Sequence, residues 1–219
     1  MDEETFVRIM NLLAERYGVQ TPTHLENPDP FKILVGTILS HRTRDEMTDL
    51  AFDRLFSKYK SVEEIAKAPL NDIIRLIKPV GFYRQKAKRI KEVAKLILER
   101  YNGQVPRSRE ALIELPGVGY KTADIVLSVA YGEPVVAVDT HVDTVSKRLG
   151  IAKWNAKYED TRKSIEDITP LHMRRIVNNI LVRFGREICR KPRPRCEICP
   201  ITAYCEWYKS KRQEEGLNG

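Results

Sequence analysis

The chain has 219 residues, 42% of them hydrophobic and 31% charged, which is enough apolar material for one large domain or two small ones sharing a boundary. No apolar run approaches the span of a bilayer, and the acidic opening MDEETF has neither the basic nor the apolar region of a secretory signal; a membrane role is excluded and an intracellular protein is expected. The net charge of +8 is uneven: residues 81–109 carry +7 and residues 183–195 carry +5, so the rest sums to −4, a distribution that points to a polyanion-binding face.

In chain order the sequence reads as helices. ETFVRIMNLLAERYG places Phe6, Met10, Leu13 and Tyr17 on one stripe and stops at Gly18. Ser61 with Glu64 has the spacing of a capping box. RQKAKRIKEVAKLILERY spaces Ala87, Ile90, Ala94, Ile97 and Tyr101 along one face, with Lys and Arg opposite, and ends at Asn102-Gly103. PVVAV at 134–138 reads as extended, and one short run does not make a sheet. Thr169, with Pro170 at the first helical position, opens a helix whose apolar face includes Ile176, Ile180 and Phe184. The fold class expected is therefore all-α. The turn Tyr131-Gly132-Glu133-Pro134 suggests a boundary that separates a helical bundle over 27–132 from a second helical domain built of 1–26 and 133–219.

Between these helices lies LPGVGYKTAD, residues 115–124. Pro116 presets a turn, Gly117 and Gly119 can take backbone angles closed to other residues, and the following helix presents its N-terminal amides to an anion. After the helix-like SREALIEL this reads as a helix-hairpin-helix, a module that grips the DNA backbone without reading sequence. Lys121 falls in the first turn after the hairpin and Asp139 begins VDTHVDTVSKRLG. A nucleophilic lysine needs a lowered pKa, which a helix N-terminus and a dry pocket favour, and a nearby carboxylate can move a proton or stabilise positive charge. The same residues also suit a phosphate contact and a helix cap. The four cysteines, Cys189, Cys196, Cys199 and Cys205, are spaced C-x6-C-x2-C-x5-C. In a reducing compartment that pattern favours a metal site over disulfides, and by itself leaves zinc and an iron-sulfur cluster both open.

LPGVGYKTA, then AVDTH, then this cysteine spacing together resemble endonuclease III, the iron-sulfur branch of the helix-hairpin-helix DNA glycosylases, from FKILVGTILS near residue 31 to the last cysteine. The resemblance implies a two-lobed glycosylase fold with a C-terminal [4Fe-4S] loop ligated by Cys189, Cys196, Cys199 and Cys205. It implies double-stranded DNA containing damaged bases or abasic sites as partner, a monomer, and a cytoplasmic, nucleoid-associated location. Lys121 would be the nucleophile and Asp139 its catalytic carboxylate. SHRTRD would fill the vacated base stack through Arg42, and VGFYRQKA would carry a wedge at Phe82, with Tyr83 and Arg84 beside it. Gly117, Gly119, Lys191 and Arg193 would meet phosphates. Arg42 stands where relatives often have glutamine, Thr144 where many have arginine, and Asp124 where asparagine is common, which bears on base preference more than on reaction type. The activity implied is a bifunctional glycosylase and AP lyase on oxidised pyrimidines. A monofunctional mismatch or uracil-type glycosylase is the alternative, and a noncatalytic DNA-binding module the remote one.

Overall fold

In the computed structural model, residues 1–19 and 28–217 are described, with side chains to residue 213. The elements are α1 (Glu3–Tyr17), α2 (Pro30–Ser40), α3 (Asp45–Lys58), α4 (Val62–Lys67), α5 (Leu70–Leu76), α6 (Tyr83–Tyr101), α7 (Arg109–Ile113), α8 (Tyr120–Ile125), α9 (Thr140–Arg148), α10 (Tyr158–Glu166), α11 (Arg174–Glu187) and α12 (Glu206–Leu217), with short 3₁₀ and π turns between some of them. Among the described residues there is no strand, and no helix is long and apolar enough to cross a membrane. PVVAV lies as an irregular segment before α9.

Residues 25–132 form one compact unit, and residues 1–24 with 133–219 form another. Asn27, the expected start of the bundle, lies outside the described residues. In the first unit, α2 is apolar almost all round because it is surrounded: it packs against α3, α6 and α8, and buries Phe31, Leu34, Val35, Ile38 and Leu39. Asp29 starts it by accepting from the amides of Phe31 and Lys32, with Pro30 at the first position. The stripe expected on α6 is buried at Ala87, Ile90, Ala94 and Ile97, and Asn102 ends the helix in the left-handed conformation. Fully burying each isoleucine contributes about 1.5–3 kcal/mol, and each alanine methyl less, before conformational entropy is set against it.

The second unit packs α1 against α11 and α11 against α9. Its core joins Phe6, Met10 and Leu13 of α1 to Val142 of α9 and to Ile180 and Phe184 of α11. Gly18 closes α1 at φ 60°, as its position after the stripe predicts.

Two terminal details differ from the sequence reading. Ser61 accepts from the Glu64 amide, but the Glu64 carboxylate takes the amide of Lys60, one residue beyond the reciprocal partner, so only half the capping box forms. Pro170 does not begin an α-helix: its ψ of 142° is extended, a 3₁₀ turn over Leu171–Met173 follows, and α11 starts at Arg174. The cause is local, since the Thr169 hydroxyl bonds back to Ile165 O and so finishes the preceding helix.

Candidate active site and cysteine loop

The hairpin joins α7 to α8 through a turn closed by the Val118 amide on Leu115 O. Gly117 sits at φ 77°, which requires glycine; a β-carbon there would also come within 2.7 Å of Arg89 Cδ, a flexible side chain that could move aside. Gly119 does not follow the expectation: its φ of −101° is ordinary extended backbone, and a β-carbon there would meet nothing within 4 Å. Its glycine leaves the approach to the first amides of α8 open.

Lys121, half-buried in the first turn of α8, lines a cavity of about 450 Å³ together with His41, Arg42, Phe82, Lys86 and Arg89. That volume lies in the usual range for a small-molecule pocket. Among the described residues no acidic side chain lines it, so its field favours an anion. Arg42 and Phe82 stand at the rim as exposed side chains on left-handed backbone, at φ 51° and 57°. For residues other than glycine this conformation costs roughly 1–2 kcal/mol each and must be held by the surroundings. Phe82 is 62% exposed, which decides against its being a core aromatic. Tyr83 is half-buried and Arg84 is exposed, its guanidinium 5.7 Å from the Tyr83 ring centroid.

Behind this rim His41 is half-buried, with Nε2 3.3 Å from Thr122 Oγ1. Burial, then the charges of Lys121, Lys86 and Arg89, draw its pKa below the usual imidazole value. Lys86 is buried, and loss of hydration lowers its pKa to about 8. Opposing that, its ammonium donates to Leu39 O, His41 O and Thr43 Oγ1 at 2.6–2.9 Å, which favours the charged form.

On α8, Asp124 is fully buried and pairs with Arg109, at 2.7 Å to Nε and 3.0 Å to Nη2. The Arg109 guanidinium also covers the Tyr120 ring at 4.7 Å. The unusual aspartate is thus matched by an arginine fifteen positions earlier, and the pair ties α7 to α8 at the hairpin.

In the other unit Asp139 is the N-cap of α9: its Oδ1 accepts from the amides of His141 and Val142, both at 2.8 Å. The cap fixes the carboxylate's direction while Oδ2 takes no part in it. Thr144 is buried and its hydroxyl donates to Thr140 O, so at this position the side chain is turned back on its own helix.

The cysteines surround a cavity also lined by Val145, Leu149, Phe184 and Ile188. All four are half-buried free thiols, and burial pushes Cys199 up to about 11, with Cys196 and Cys205 also raised. Among the described residues, no group of three or more His, Cys, Asp or Glu is placed to hold a single metal ion. Buried Arg148 donates to Cys189 Sγ at 3.1 Å and to Cys189 O at 2.9 Å, lies over the Trp207 ring, and keeps a buried Nε without a partner. Lys191 and Arg193 are exposed on the first span of this loop.

Sequence reading singled out Lys121, Arg42, Phe82, Asp139 and the cysteines, but not Lys86, His41, Arg109 or Arg148. A signal existed for one of them: Lys86 lies four residues before Ile90 and seven before Val93, on the buried stripe of α6.

The chain as a whole is similar to known proteins. A family profile described as "HhH-GPD superfamily base excision DNA repair protein" matches residues 35–171. The chain is 43% identical to Endonuclease III of Thermotoga maritima over 206 residues, covering 94% of this chain and 96% of that protein. To Endonuclease III of Bacillus subtilis it is 41% identical over 193 residues, 88% of each chain. A solved structure described as "Structure of a Trapped Endonuclease III-DNA Covalent Intermediate: Estranged-Adenine Complex" superimposes with a TM-score of 0.85 at 34% identity, over 97% of this chain and 99% of that one.

Proposed function

Because the chain belongs to the endonuclease III family of the HhH-GPD superfamily, DNA glycosylases and AP lyases of base excision repair, we propose that Lys121 is its nucleophile, Asp139 its catalytic carboxylate and oxidised pyrimidines its substrates. The carrying observation is Lys121 on the first turn after a DNA-gripping hairpin, in a basic cavity rimmed by two strained, exposed side chains.

The chemistry follows from what a duplex hides. A base inside the stack is out of reach, so its nucleotide must be extruded at a cost of a few kcal/mol, least where pairing is already weak. Arg42 and Phe82 are suited to occupy the vacated space and hold the step open. The neutral amine of Lys121 attacks C1′ of the extruded nucleotide. The C1′–N bond breaks, the base departs with its electron pair, and the sugar opens to a Schiff base on Lys121. Loss of a proton from C2′ then expels the 3′ phosphate by β-elimination, which cuts the strand. Asp139 is suited to accept the proton that Lys121 sheds and to stabilise the positive charge that develops at the sugar. An enzyme of DNA works where the DNA is, so we place it at the chromosome inside the cell.

A panel of lesion-containing duplexes, scored separately for base release and strand cutting, tests this reading. Both events on a pyrimidine glycol are expected. Base release without cutting would move the protein to the monofunctional mismatch class, and neither event across the panel would leave a binding module.

The cysteine loop suits a [4Fe-4S] cluster. The thiols line a cavity instead of meeting at one ion's distance, and a buried, incompletely paired arginine beside them suits a group whose core and thiolates together carry about −2. When bound, such a cluster would fix the loop that presents Lys191 and Arg193; Cys189, Cys196, Cys199 and Cys205 would hold it. Protein purified without oxygen should be brown and carry close to four irons per chain, with matching sulfide. Stoichiometric zinc without iron would overturn the assignment. Cys199→Ser should lose iron and loop order together, because thiolate ligation is part of the loop's folding energy.

A backbone role for Lys191 and Arg193 also has a direct readout. Duplex affinity should fall steeply with salt, and neutralising either side chain should flatten that slope by roughly one unit per lost phosphate contact. Unchanged slopes would place both outside the interface.

A further inference from the structure

Lys86 has no role in the chemistry above, yet its buried ammonium makes three hydrogen bonds. A buried ammonium has three donors to satisfy and loses its hydration shell. Here all three go to one short segment: Leu39 O and His41 O at the C-terminal end of α2, and Thr43 Oγ1 beyond Arg42. The two carbonyls alone could be ordinary helix capping, since a cation suits a helix C-terminus. The third bond goes further. Thr43 Oγ1 also accepts from the Gly81 amide at 3.3 Å, and the backbone is so close there that a β-carbon on Gly81 would stand 3.1 Å from Arg42 O. The Lys86 amide in turn bonds to Phe82 O at 3.0 Å. One residue therefore holds the segment that carries Arg42 and the segment that carries Phe82. Both carriers are in left-handed backbone, which persists only when the surroundings enforce it. The first segment is tied again through His41 to Thr122, the neighbour of Lys121.

We propose that Lys86 is a positioning residue whose buried ammonium clamps the 39–43 and 80–84 segments into one jaw, so that Arg42 and Phe82 open the duplex in fixed register with Lys121. This inference rests on the strand-opening reading of Arg42 and Phe82. A clamp of this kind acts only where there is a duplex to open. A single strand carrying an abasic site needs no wedge and presents its sugar to Lys121 directly.

The test is Lys86→Met, which keeps the apolar stem and removes the donors. Single-turnover strand cutting is measured on a lesion-containing duplex and on a single strand with an abasic site, beside the fluorescence rise of 2-aminopurine placed next to the lesion as a report of extrusion. Cutting of the duplex and the fluorescence rise should slow about tenfold or more, and cutting of the single strand should change by less than about twofold, as expected when reacting groups are misplaced by a fraction of an ångström. Equal losses on both substrates, or none on either, would overturn the proposal. Because Lys86→Met strands two carbonyls and could fail to fold, Thr43→Val is the second variant. It leaves the two carbonyl bonds of the helix cap and removes the hydroxyl that accepts from Lys86 and Gly81 and donates to His41 O, and it should lower the duplex-to-single-strand ratio about threefold or more, since each hydrogen bond lost is worth about 0.5–1.5 kcal/mol. An unchanged ratio there sinks the clamp. Phe82→Ala separates the two readings: if it leaves the ratio unchanged the strand-opening reading fails, whereas a lowered ratio for Phe82→Ala with none for Lys86→Met or Thr43→Val removes the clamp alone.

Discussion

Borohydride added while the protein cuts a duplex containing a pyrimidine glycol is expected to leave protein covalently joined to DNA, and Lys121→Gln is expected to leave none. The Schiff base is the only point in the reaction at which protein and sugar share a bond that hydride can make permanent, so the adduct reports the nucleophile itself. Glutamine keeps much of the side chain's length and polarity in the first turn of α8 but has no amine lone pair to attack C1′. Duplex affinity should persist, because Lys121 is one of several basic groups around the cavity, with Arg42 and Arg89. That pairing of results matters: loss of adduct together with loss of binding would mean that Lys121 serves as a phosphate contact. An adduct that survives Lys121→Gln would place the nucleophile elsewhere, and the cavity on the hairpin side would lose its claim to the chemistry.

What could be read from the residues follows from the range over which each signal acts. Apolar stripes are local and repeat, so α1, α6 and the body of α11 were legible as helices, down to the left-handed Gly18 that ends the first. The hairpin was legible because Gly117 answers a local backbone demand. At its neighbour Gly119 only the expected special backbone angle failed; what the missing β-carbon provides there is room. Terminal details failed where two uses compete for one side chain: Thr169 closes α10 when it was expected to open α11, and Glu64 reaches past Ser61 to Lys60. The pairs that shape the site lie far apart in the chain. Asp124 looked like an isolated departure until Arg109 met it, and Lys86 looked like one more solvated charge until it was found 4% exposed beneath the Arg42 segment. Periodicity had marked Lys86, because it lies on the buried stripe; composition hid it among the nine basic residues of 81–109. Which acceptors it would find, across 43 to 47 positions, no pattern along the chain could state.

Asp139→Asn should lower turnover by a factor between about 10² and 10⁴, the range for a positioned proton-transfer group, with little change in thermal stability. The geometry makes that separation possible. As found, Asp139 caps α9 through Oδ1 alone, accepting from His141 and Val142. Asparagine caps a helix about as well as aspartate, because its amide oxygen can take the same two amides; what it removes is the negative charge and the ability to accept a proton. Asp139→Ala removes both, and should add a stability loss of about 1 kcal/mol to the same catalytic defect. Turnover measured beside melting temperature for the two variants therefore resolves the cap from the chemistry. If the asparagine variant keeps near-normal turnover and only the alanine variant suffers, Asp139 is a helix cap and the proton acceptor for Lys121 must be sought elsewhere. If both fall alike in turnover while only alanine melts early, the carboxylate is catalytic, and the two amides that hold Oδ1 are the means by which the fold fixes its direction.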